Sequence, residues 1–88
     1  MKPVRPPIED SIDLHTFRPR DIPNLIEDYI AECLRAGFTS VRIIHGKGTG
    51  DQKRRVLALL RRNPHVQSFA DAPVEAGGWG ATIVELKK

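Results

Sequence analysis

A carboxylate and an imidazole stand two residues apart in Ile12-Asp13-Leu14-His15. In an extended strand, residues i and i+2 project to the same side, about 6.5–7 Å apart. The Asp13 carboxylate can then reach the His15 ring, fix its tautomer and raise its basicity, as a general base requires. An isolated pair of this kind is also an ordinary feature of a solvated sheet face.

The second chemical stretch is His45-Gly46-Lys47-Gly48-Thr49-Gly50. Glycines let a backbone approach a ligand closely. The free N–H groups of a following helix attract an anion. Lys47 adds a charge and Thr49 a hydroxyl, so the expected guest is a phosphate. Three glycines in five residues exceed what a plain turn needs. The loop is not a Walker A sequence, and Asp51 and Lys53 stand where the third glycine of G-x-G-x-x-G would fall. The third stretch is Gly77-Gly78-Trp79-Gly80. Trp79 could stack on a base or plug the edge of the core.

The elements that must position these residues follow from periodicity. Ser11 to His15 alternates polar and apolar residues as a half-buried strand does. Ile22, Leu25, Ile26, Tyr29, Ile30, Cys33 and Leu34 fall at helical spacing, with Gly37 as the terminating glycine. Ser40 to His45 is the second strand, and Asp51 to Arg62 the second helix, with Val56, Leu57, Leu59 and Leu60 as its apolar face. Asn63-Pro64 stops that helix. Strands are expected over Val66–Ala70 and Ala81–Leu86, with a loop over Ala72–Gly80. The order β-α-β-α-β-β predicts an α/β two-layer sandwich: a four-stranded mixed sheet with both helices on one face. Asp13, His15 and Arg42 then belong to the bare face.

An 88-residue chain has room for one domain. Residues 1–10 carry Pro3, Pro6 and Pro7 and read as a flexible arm, leaving 11–88 as the domain. A single cysteine, Cys33, excludes an intrachain disulfide and multi-thiolate zinc sites. No segment reads as a secretory signal or a membrane span, so a cytoplasmic protein is expected. The net charge is +3, and it is unevenly spread. Arg42 to Arg62 holds seven basic residues and one acid, whereas Asp21 to Glu32 holds four acids and no base. One basic side, with Arg42, Lys53, Arg54 and Arg55, is what a nucleic-acid partner would select.

Together the three stretches resemble the Smr (small MutS-related) family. That domain is marked by a Leu-Asp-Leu-His strand, a His-Gly-x-Gly loop and a late Gly-Gly-x-Gly segment leading into the final strand. Here they read Ile12-Asp13-Leu14-His15, His45-Gly46-Lys47-Gly48 and Gly77-Gly78-Trp79-Gly80, in the same order, within a match spanning Ser11 to Leu86. Thr16-Phe17 departs from the glycine that many members carry after the strand histidine. The resemblance implies a fold similar to the C-terminal domain of translation initiation factor three, with the last strand antiparallel between the second and third. It also implies nucleic-acid binding and, for some members, metal-assisted endonuclease activity. No fused MutS-like ATPase is expected, since the match runs to the end of the chain.

The leading expectation is a nicking endonuclease on DNA or RNA phosphodiesters, with the oligomeric state left open and a monomer plausible. His15 would activate water, oriented by Asp13, and His45 would act as acid or second ligand. Gly46, Lys47, Gly48, Thr49 and Gly50 would hold the phosphate, with Arg42, Lys53, Arg54, Arg55, Gly78 and Trp79 contacting nucleic acid. Asp13 and His15 are the candidate ligands of any divalent cofactor, Mg²⁺ or Mn²⁺. The alternatives are a non-catalytic nucleic-acid-binding module and a protein-interaction domain.

Overall fold

The computed structural model describes residues 8–87. The arm residues 1–7 lie outside them. Four strands and two α-helices alternate as β1 (Ser11–Asp13), α1 (Ile22–Arg35), β2 (Ser40–Ile44), α2 (Asp51–Arg62), β3 (Val66–Asp71) and β4 (Ala81–Leu86). The sheet order is β1-β2-β4-β3. β1 and β2 are parallel, and β4 is antiparallel to both β2 and β3. The last strand is thus inserted between the second and third. No helix among the described residues is long and apolar enough to cross a membrane.

Strand parity places the core. Val41 and Ile43 of β2 pair in register with Val84 and Thr82 of β4, and all four are buried beneath the helices. From α1 come Ile22, Ile26, Tyr29, Ile30 and Cys33, and from α2 Val56 and Leu60. α1 stops where expected. Gly37 takes φ +84°, and the N–H groups of Gly37 and Phe38 donate to the carbonyls of Leu34 and Cys33. That double bond is the Schellman termination, which a side chain at a left-handed φ would strain.

Five expectations need correction. The first strand ends at Asp13, and the second ends at Ile44. His15 and His45 therefore sit just past the ends of two parallel strands. The segment 72–80 contains two short 3₁₀ turns, Val74–Ala76 and Gly78–Gly80. The second sheet face is not bare throughout. Ala81 is fully buried there, with Gly77 packed against its methyl group, and Arg42 donates to the Ala76 carbonyl at 3.1 Å. The inner end of the arm is also tied down. Ile8 packs on the core, the Tyr29 hydroxyl donates to the Glu9 carbonyl at 2.8 Å, and Arg42 N–H donates to the Asp10 carbonyl.

Ile43 has no exposed surface and lies at the centre of the core. Ile43→Ala is expected to cost about 2–5 kcal/mol, read from the shift in the urea unfolding midpoint at unchanged slope.

Candidate functional site

Parallel β1 and β2 deliver their C-terminal ends to the same edge of the sheet, beside the start of α2. An open cleft of about 450 Å³ lies there, lined by His15, Phe17, His45, the Gly46–Gly50 loop and the first turn of α2. The sheet ends bring two of the three chemical stretches together. The third packs behind the loop.

The Asp13–His15 pair forms as its spacing requires. The Asp13 carboxylate accepts the His15 backbone N–H at 3.0 Å and faces the ring Nδ1 at 2.7 Å. The first bond closes a local turn that swings His15 out of the strand line. His15 consequently leaves the open sheet face, where it was expected with Asp13 and Arg42, and enters the cleft. The backbone N–H of His15, then its ring, hold the Asp13 carboxyl below the usual aspartate range. A carboxylate acceptor assigns the proton of the neutral ring to Nδ1, so Nε2 keeps its lone pair.

His45 is placed differently from the acid or ligand it was expected to be. It shares the parity of Val41 and Ile43 and is buried. Its Nδ1 lies 3.1 Å from the Gly46 carbonyl and its Nε2 lies 2.8 Å from the Thr82 hydroxyl. The neutral ring satisfies both by donating from Nδ1 and accepting at Nε2. Burial pushes its pKa below the ordinary histidine value, with the Lys53 charge adding to that and the Gly46 carbonyl opposing it. His45 anchors the glycine loop to β4 and holds no free proton to give.

The loop itself uses every glycine it has. Gly46, Gly48 and Gly50 all take positive φ, at +83°, +36° and +87°. The turn thus needs all three, and their number alone does not signal a ligand. What does favour an anion is the start of α2. Gly50 supplies no capping side chain, and Thr49 Oγ1 reaches the Asp51 N–H only at 3.5 Å. The first-turn N–H groups of Asp51, Gln52 and Lys53 have no acceptor within the helix, and these residues line the cleft. Such a terminus carries a partial positive charge that suits a phosphate.

The basic stretch is partly neutralised within the fold. Lys53 Nζ lies 2.7 Å from the Asp71 carboxylate and 5.3 Å from the centre of the Trp79 ring. Arg54 pairs with Asp51 one turn away. Arg42 bonds Ala76 on the far sheet face and does not reach the cleft. Lys47 and Arg55 line the cleft and have no ion-pair partner among the described residues. Gly78 donates its N–H to the Pro73 carbonyl and holds the turn that carries Trp79. Asp13 and His15 do not by themselves make a metal site. Asp13 Oδ1 and His15 Nδ1 are committed to each other, which leaves His15 Nε2 as the free nitrogen donor, and no three His, Cys, Asp or Glu side chains converge among the described residues.

The order β1-β2-β4-β3 with these loops at one end recurs in a known family. The Smr domain profile matches residues 12–87. The chain belongs to the Smr domain family. It is similar to the proteins named endonuclease MutS2 of Halalkalibacterium halodurans and of Helicobacter pylori. Identity is 42% over 80 residues for the first and 39% over 75 for the second, covering 91% and 85% of the chain. It spans only 10% of each of those proteins. Its structure matches the Smr domain of Thermus thermophilus MutS2 with a TM-score of 0.83 and 35% identity, over 89% of this chain and 98% of that one. It also matches YdaL, a stand-alone small MutS-related protein from Escherichia coli, with a TM-score of 0.81 and 29% identity, over 90% and 65% of the two chains.

Within the Smr fold, several positions that shape the cleft were not singled out from the sequence as site residues. Thr82 is the hydrogen-bond partner of His45, and its parity with Val84 and Leu86 was the available signal. Asp71 holds Lys53 from another strand, which no local pattern reveals. Gly80 packs directly against the loop: a Cβ there would stand 3.0 Å from Lys47 Cγ and 3.5 Å from the Gly46 carbonyl carbon. Phe17 lines the cleft beside His15.

The lowered pKa of His45 fixes a sign. The unfolded chain binds a proton near the ordinary histidine pKa of 6.5, and the folded chain does so only at lower pH. Stability is therefore complete above that value and declines as the pH falls toward the folded pKa. In urea unfolding at a series of pH values, His45→Gln should flatten this decline between pH 7 and the acid end. An undiminished slope in the variant would assign the titration elsewhere.

Proposed function

We propose that this Smr domain binds nucleic acid and hydrolyses its phosphodiester bonds, nicking DNA or cutting RNA. The observation that carries the reading is the convergence of His15, with Nδ1 committed to Asp13, and the Gly46–Gly50 loop with the uncapped start of α2, on one cleft. The family relationship to proteins named endonuclease MutS2 supports it.

The scissile phosphate sits on the first-turn N–H groups of α2, with Lys47 and Arg55 balancing its charge. His15 Nε2 takes a proton from a water as the water oxygen bonds to phosphorus. The P–O bond to the leaving oxygen breaks, and that oxygen takes its proton from solvent. Asp13 stabilises the imidazolium that forms and keeps the ring aimed. His45 contributes by holding the loop in place.

Purified variants tested on supercoiled plasmid, branched DNA and structured RNA decide this. His15→Ala should lower cleavage by about 10²- to 10⁴-fold while changing stability by no more than about 0.5 kcal/mol, as for other exposed sites. Asp13→Asn should lose less, because the ring remains. Cleavage at the wild-type rate by His15→Ala would end its assignment as base. Cleavage of none of the substrates by the wild type, together with retained binding, would leave a binding module.

The ion pairs sort the basic residues in a salt series. Lys47→Ala and Arg55→Ala should each reduce the slope of log affinity against log salt by up to about one unit. Lys53→Ala should change it less, because Lys53 is already paired with Asp71. A larger change at Lys53 than at Arg55 would contradict the placement of the strand.

A further inference from the structure

Among the described residues the exposed large apolar side chains are Phe17, Val74 and Trp79. Two of these three are aromatic: Phe17 lines the cleft, and Trp79 stands on the turn that packs behind the glycine loop.

Phe17 is 40% exposed and lines the cleft beside His15. It is held there by a tight turn in which its N–H donates to the Leu14 carbonyl at 3.0 Å. Trp79 is 42% exposed and stands on the 3₁₀ turn Gly78–Gly80. That turn is fixed to the loop, because the Gly80 carbonyl accepts the N–H groups of His45 and Gly46 at 3.1 and 2.9 Å. The Lys53 ammonium covers one face of the indole and is itself pinned by Asp71. A ring covered on one face and still this exposed offers its remaining surface to solvent. The backbone turns that carry both rings are thus set before any ligand arrives.

Flat aromatic surfaces flanking a phosphate site match unpaired nucleobases. Base–aromatic stacking tolerates any sequence, since every base has a π-face, but it needs bases that are free of a partner strand. A duplex hides its base faces and presents phosphates, sugars and base edges, none of which stacks on a ring. We infer that the substrate is an unpaired strand, DNA or RNA, whose bases stack on Phe17 in the cleft and on Trp79 beside the glycine loop that holds the phosphate. The inference rests on the proposed phosphodiester reading and narrows it to a substrate class.

Trp79 is the only tryptophan, so its fluorescence reports stacking directly. The full chain should be titrated with a short mixed-sequence DNA oligonucleotide, its RNA counterpart, the matching duplexes, and an abasic oligonucleotide of equal length. The single strands should quench Trp79 and bind more tightly than the duplexes and the abasic strand. The DNA and RNA arms show which sugar is preferred. Phe17→Leu and Trp79→Leu, checked for folding by circular dichroism, should each weaken single-strand binding by about 5- to 150-fold and leave abasic binding nearly unchanged. Equal affinity for the abasic strand, or binding without quenching in the wild type, overturns the stacking proposal while the phosphate reading stands. Binding of none of these ligands overturns both.

Discussion

Two backbone N–H groups, from His45 and Gly46, converge on one carbonyl oxygen, that of Gly80. This three-centre contact joins the end of β2 to the start of β4 and sets the glycine loop against the Gly78–Gly80 turn. The buried His45 ring reinforces it by linking the Gly46 carbonyl to the Thr82 hydroxyl. The close fit of Gly80 against Gly46 and Lys47 leaves no room there for a side chain without displacement. From this junction the loop direction, the start of α2 and the position of Trp79 all follow. The opposite side of the cleft is set through the sheet, because Leu14 N–H donates to the Ile44 carbonyl and so registers the Asp13–His15 turn against β2.

The electrostatics follow the same geometry. Two histidines stand at the ends of adjacent parallel strands and have opposite fates. His15 is exposed and bonded to a carboxylate through one nitrogen, which leaves the other with a lone pair. His45 is buried, with both nitrogens engaged and its charged form disfavoured. One is arranged to accept a proton and the other to remain neutral and hold a backbone. The cations divide in a similar way. Lys53 and Arg54 are used within the fold, whereas Lys47 and Arg55 face the cleft.

The fold was legible because each element carries its own period and its own stop. The helical spacing from Ile22 to Leu34 ends on Gly37, and Asn63-Pro64 ends the second helix, as the structure confirms at Arg35 and Arg62. The three motifs were legible as candidates, and two of them line one cleft. What local sequence could not supply was the side each residue faces once a strand ends. His15 was assigned to the open sheet face by strand parity, but the Asp13 carboxylate captures its N–H and turns the chain out of that pattern. His45 followed strand parity into the core, in step with Val41 and Ile43. The partner of Lys53 was invisible because Asp71 arrives from β3 by tertiary contact alone. The positive φ of all three loop glycines likewise depends on how the turn closes.

The central claim is that a phosphate of nucleic acid rests between the glycine loop and the His15 turn, at the C-terminal ends of β1 and β2. Amide chemical-shift mapping with a short oligonucleotide tests it most directly. The account requires the largest shifts at Gly46 to Lys53, with further shifts at His15 to Phe17. Shifts centred instead on Arg42, Ile83 and the open sheet face would contradict it.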